Sequence, residues 1–172
     1  MFKWAIDGVA IVVNPANQVR SLSQDQVAAI FAGKISNWKE VGGDDKRINL
    51  YTRDEASGTR EVFWGKALKK GNIAATANVI VSNGAMKGAV SQDPYGIGYV
   101  SVGHIDETVA PVAFNGIEPS MENVKEGKYP VARGLFSNTK GEPAGLVKKF
   151  IDYLFTEEGQ QIVVEKGFIS VQ

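Results

Sequence analysis

The run DGVAIVVNP, Asp7 to Pro15, is a β-branched stretch stopped by an Asn-Pro pair, and it is the first of several such runs separated by segments of helical periodicity. This alternation restricts the fold more than any other feature of the chain. Short apolar runs bounded by turn residues read as buried strands. Where helices lie between them, each helix supplies the crossover that a parallel strand pair needs.

The pattern holds along most of the sequence. Ser23 followed by Gln26 is a capping box, and Val27, Ile30 and Phe31 share one helical face that ends at Gly33. RINLYT reads as the next strand and residues 58–70 as a helix with Val62, Phe63, Ala67 and Leu68 inward. NVIVS and GIGYVSV read as strands on either side of a short helix at GAMKGAVSQ. After SNTKGEP, Pro143 suits a first helical position, and Leu146, Val147, Phe150, Ile151 and Leu154 predict a broad buried stripe. Thr156 then caps a last helix that runs to about Lys166. The expected class is α/β, a mainly parallel sheet flanked by helices. A length of 172 residues with no internal repeat and no linker allows one domain or two small lobes.

Composition removes several functions. The 19 basic and 19 acidic side chains cancel, so no overall field would hold a nucleic acid or an anionic membrane surface, and any bound anion must be held locally. With no cysteine there is no disulfide, thiolate metal site or cysteine nucleophile, and no cluster has metal-ligand spacing. VAIVV, Val9 to Val13, is far short of the about 20 apolar residues that span a bilayer, and the start MFKWAIDG lacks the apolar core of a signal peptide.

One segment does not read as core. In YTRDEASGTREVFW, Tyr51 to Trp64, a strand gives way to charged residues and then to Ser57, Gly58 and Thr59 at the start of a helix. Ligands of open parallel sheets sit beyond the carboxyl ends of the strands, where helix N-termini present unpaired N–H groups. Ser57 can cap, Gly58 admits a ligand close to the backbone, and Thr59 adds a hydroxyl. Arg53 adds a planar fork matched to phosphate, sulfate or carboxylate oxygens. Glu55 is expected to pair with Arg53 and aim it. The plainer alternative is that Ser57 only caps the helix and Arg53 is a solvated turn residue. Walker-type nucleotide binding is disfavoured, because the G-x-x-x-x-G-K-[ST] pattern and its phosphate-reaching lysine are missing.

Asn83 and Gly84, after NVIVS, offer a second helix start facing the same cleft, or a simple Asx turn. His104, the single histidine, has no acid–nucleophile partner in the sequence. Trp38 and Trp64 read as core or surface aromatics.

At these residues the chain resembles the periplasmic phosphate-binding proteins of ABC-type importers. The likeness rests on DGVAIVVNP, IFAGKISNWKEVGG, TRDEASGTREVF, SNGAMKGAVSQDPYGIGYVS and YPVARGLF…TKGEP…FIDYLFTEEGQQIV, in the family's order and over nearly the whole chain. The resemblance implies that Arg53, Ser57, Gly58 and Thr59 touch phosphate, with Glu55 supporting the arginine. It also implies two α/β lobes that close on the ligand. Residues 12–97 would form the second lobe, and residues 1–11 and 98–172 the crossover strands and the C-terminal part of an incomplete first lobe. Such proteins work in the periplasm, or outside the cell on a membrane anchor, and deliver phosphate to a membrane permease.

The family's site is completed by a glycine- and serine-rich loop and an aspartate of an N-terminal segment, for which this sequence has no matching GSGS-like stretch. Without that segment, apolar surface on the C-terminal helices is expected to be bare and covered by association, as a homodimer or with a separately supplied N-terminal fragment. Three functions follow: a phosphate-binding transport component, a fold-retaining interaction module that has lost the ligand, and an enzyme acting on phosphate esters. The last is disfavoured because no base, nucleophile or metal set lies near Ser57.

Overall fold

The computed structural model describes residues 1–172 and is organised around one long strand, β1 (Phe2–Val13). The other strands are β2 (Ser21–Leu22), β3 (Asn49–Arg53), β4 (Asn78–Ile80), β5 (Gly96–Ser101), β6 (Ala110–Phe114), β7 (Ala132–Ser137) and β8 (Ile169–Ser170). Helices are α1 (Gln24–Phe31), α2 (Gly58–Lys66), α3 (Asn83–Gln92), α4 (Met121–Lys125), α5 (Gly145–Leu154) and α6 (Glu157–Glu165). None is long and apolar enough to cross a membrane.

The α/β class is the observed one. Strand order runs β2-β6-β1-β5-β3-β4, with parallel pairing of β3 to β4 and to β5, and of β2 to β6. Strand β1 is antiparallel to all four of its partners and serves two sets of them. Its first half, Phe2–Gly8, pairs with β7, and Ala5 and Ile6 also pair with β8. Its second half pairs with β5 over Val9–Val13 and with β6 over Ile11–Val13. The change of partners falls at Gly8, where a Cβ would stand 2.5 Å from methyl groups of both Val102 and Val124, so no larger residue fits.

Helices cover both faces of the β1–β5 region. On one side Val27, Ile30 and Phe31 of α1 and Val62 and Phe63 of α2 join Ile97 and Tyr99 of β5 in the main core. On the other, Met86 and Val90 of α3 pack on Val12 and Val100. The capping box forms as expected, with Gln26 N–H donating to Ser23 Oγ and Ser23 N–H to Gln26 Oε1. Trp38 is core, its indole N–H donating to the Tyr95 carbonyl.

Three local expectations are corrected. The helix expected over 58–70 stops at Lys66 because Lys69 and Lys70 turn into the left-handed region, at φ 50° and 60°; Ala67 and Leu68 are nonetheless buried. Pro143 lies outside α5, whose N-cap is Ala144, and the chain enters that helix through left-handed Gly145. The stripe on α5 has the expected periodicity but not the expected burial. Leu146 is 82% exposed, Phe150 58%, and only Ile151 is buried. Ile162 and Val164 of α6 and Phe136 of β7 add further exposed apolar area. No other segment of the chain packs over this face, in line with the expected bare surface on the C-terminal helices.

Candidate anion-binding site

The site is built on the aromatic stack beneath it. The Phe63 ring stacks on Tyr99 at 4.0 Å between centroids and meets Phe31 edge-on at 4.9 Å. Tyr99 Oη lies 2.9 Å from Thr52 Oγ1 and accepts the Arg53 N–H at 3.0 Å, so the core fixes the end of β3. Burial, the largest influence, pushes the Tyr99 hydroxyl above its ordinary value, which keeps it a neutral hydrogen-bonding group.

From there the chain turns into α2, with Ser57 N–H donating to the Asp54 carbonyl at 3.1 Å. Ser57 is the N-cap, its Oγ accepting the Arg60 N–H at 3.1 Å. The capping reading of Ser57 is therefore observed. Thr59 is buried in the first turn, and its hydroxyl makes no hydrogen bond within the chain.

Arg53 is not a solvated turn residue, since its side chain is only 11% exposed. Its guanidinium donates to Asn83 Oδ1 at 3.4 Å and to the Val81 carbonyl at 3.3 Å, while its Nε is buried with no hydrogen-bond partner. Asn83 opens α3, and its Oδ1 also accepts the Ser101 N–H at 3.2 Å. The starts of α2 and α3 are thus gathered at the carboxyl ends of β3 and β5. Gly84, next along α3, is exposed with open space around it.

Glu55 does not pair with Arg53. The acid beside the guanidinium is Asp54, Oδ1 to Nε 3.7 Å, whereas Glu55 is exposed and lines a cavity with Arg60, Trp64 and Lys70. The turn closed by the Asp54 carbonyl directs Asp54 inward and puts Glu55 and Ala56 on the outside. A separate cavity of about 410 Å³ lies among Gly33, Arg47, Asn49 and Asn78, at the opposite end of β3.

Two residues escaped sequence reasoning. Asp7 of β1 and Arg133 of β7 are register partners, with Nη2 to Oδ2 at 3.8 Å. Asp7 is only 2% exposed and accepts the Ser101 Oγ–H at 2.5 Å. The detectable signal was an aspartate inside an otherwise apolar strand, because a charge in such a run is either paired or neutralised. Burial raises the Asp7 carboxyl above 3.8, opposed by Ser101, Arg133 and His104.

An acid whose value is higher in the folded than in the unfolded state destabilises the fold when ionised. The penalty is full above the folded value and fades as pH falls toward the unfolded one. Relative to Asp7→Asn, the native chain should therefore gain stability as pH falls from neutrality toward about 4. Denaturation midpoints of the two proteins across that window test this, and parallel profiles would contradict it.

Known proteins match the chain in sequence and in fold. A family model described as the PBP superfamily domain matches residues 2–158. Phosphate-binding protein PstS of Bacillus subtilis is 40% identical over 169 residues, covering 97% of this chain and 56% of that protein. The protein of the same name from Borreliella burgdorferi is 30% identical, covering 98% of this chain and 65% of its own length. The chain thus spans 56% to 65% of these curated relatives.

Among solved structures, a phosphate ABC transporter substrate-binding protein from Clostridium perfringens, with bound phosphate, superimposes at TM-score 0.88 and 33% identity over 99% of this chain and 71% of its own. An ABC-type phosphate transport receptor from Vibrio cholerae gives 0.84 and 35% over 98% and 71%. Matched along nearly its whole length in sequence and in fold, the chain belongs to the PBP superfamily.

Proposed function

We propose that the chain binds inorganic phosphate as the solute-binding component, or a part of it, of an ABC-type phosphate import system. The observation that carries this reading is the largely buried Arg53 guanidinium, held by Asn83 at the start of α3 and by Asp54, at the end of β3 from which the chain turns into α2 with its Thr59 hydroxyl unengaged. Arg53, Ser57, Gly58 and Thr59 would contact the ion, and Asn83 would steer the arginine. Binding rests on preorganised neutral donors together with the Arg53 guanidinium, without chemistry on the ligand. The site would operate outside the cytoplasmic membrane and pass phosphate to a permease.

Residues 12–97 would act as one lobe, with residues 1–11 and 98–172 supplying the crossovers and the second body. Calorimetric titration with phosphate and with sulfate tests the reading. Heat with phosphate supports it, and a folded sample that gives no heat with either ion overturns it.

The bare face of α5 favours a second, compatible role in association, with another copy of the chain or with a separate N-terminal fragment. An exposed apolar area beyond a few hundred Å² usually marks an interface. Leu146→Asp with Phe150→Asp should abolish any self-association seen by sedimentation. Because both positions are exposed, monomer stability should change by no more than about 0.5 kcal/mol. An unchanged sedimenting mass for an associating sample would discard this face as the contact.

A further inference from the structure

We infer that Arg133 is a second guanidinium of the anion site, reaching it from β7 and completing a closed ring of contacts around the start of α2. The inference rests on the phosphate-binding reading and extends its list of binding residues.

Each link of the ring can be followed atom by atom. Arg53 Nη1 donates to Asn83 Oδ1, which also accepts the Ser101 N–H. Ser101 Oγ–H donates to Asp7 Oδ1, and Asp7 Oδ2 faces Arg133 Nη2. The Arg133 guanidinium lies against Gly58, with Nη1, Nη2 and Cζ at 2.9, 3.0 and 3.4 Å from where a Cβ on that glycine would stand. Asp54 closes the circuit, its carbonyl accepting from Ser57 and its carboxylate facing Arg53.

Gly58 therefore has a use beyond admitting a ligand. Any side chain there would push the guanidinium off the helix start.

The donors of Arg133 are the second observation. Its side chain is 32% exposed, and none of its N–H groups donates a hydrogen bond within the chain. Nε is buried without a partner, and Asp7 at 3.8 Å lies beyond hydrogen-bond reach. A guanidinium has five donors in a rigid plane, and leaving them unused in a half-buried position is costly unless an acceptor arrives. A tetrahedral oxyanion at the first turn of α2 would be that acceptor, taking a forked pair from Arg133 in addition to the backbone amides and Arg53.

The ring holds two guanidiniums and two carboxylates, Arg53 and Arg133 against Asp54 and Asp7. The entering ion meets little net charge, so selection falls on donor geometry.

Titration calorimetry with inorganic phosphate tests the inference on the native chain, Asp7→Asn, Asp7→Asn with Arg133→Gln, and Arg133→Lys. The double variant leaves no buried carboxylate without its partner, so the loss of the guanidinium is read apart from the loss of folding. Phosphate affinity should fall roughly tenfold or more from Asp7→Asn to the double variant. Arg133→Lys, which keeps the charge opposite Asp7 but loses the fork, should fall by several-fold. Equal affinity in Asp7→Asn and the double variant, or in Arg133→Lys and the native chain, would make Arg133 a structural partner of Asp7 and overturn the inference alone. Absence of phosphate binding by the native chain would overturn the phosphate reading and this inference together.

Discussion

Phe63→Ala should destabilise the chain by about 3–5 kcal/mol, the range for removing a fully buried aromatic ring. Phe63 has no exposed surface, stacks on Tyr99 and meets Phe31 edge-on, so the substitution removes burial and two ring contacts at once. Its effect extends to the site. Tyr99 receives the Arg53 N–H and sits beside Thr52 Oγ1, so a ring left loose over a cavity releases the end of β3. Urea denaturation should show a lower midpoint with an unchanged slope. A loss smaller than about 1 kcal/mol would mean that the aromatic stack does not anchor this part of the fold.

Arg53→Gln is expected to weaken phosphate binding by roughly 10- to 150-fold, the equivalent of about 1.5–3 kcal/mol for hydrogen bonds from a charged donor. It also leaves the Asp54 carboxylate, whose buried Oδ1 has no hydrogen-bond partner, without the guanidinium at 3.7 Å. Some loss of stability should therefore accompany the loss of affinity, and Arg53→Lys should restore more of the first than a neutral residue does. Calorimetry on samples verified as folded separates the two effects. Native affinity in Arg53→Gln would remove this arginine from the site.

What could be read in advance follows from the range of each interaction. The Ser23–Gln26 box and the Thr156 cap are local, set by residues three positions apart, and both form as expected. The inward face of α2 was legible for the same reason. Strands β2 and β8 have two residues each and carry no periodicity, while Pro111 inside β6 masks that strand's signal. Glu55 and Asp54 are adjacent acids, and only the turn closed by the Asp54 carbonyl decides which one faces Arg53.

Arg133 could not be found locally, because its place against Gly58 depends on β7 pairing with β1. The α5 stripe illustrates the remaining limit. Periodicity reports that a face is apolar, not whether the same chain supplies its cover.

The position of β1 also bears on how the molecule assembles during synthesis. It is made before every strand it pairs with: the earliest of its partner residues is Ile97, and its first half waits for β7 and β8, which come later still. At about 5–20 residues per second, this apolar ribbon stays without its sheet for several seconds while the rest is translated. Holding it in that interval is work for a chaperone, and slow completion of such distant pairings would be the step at which newly made copies are lost to aggregation.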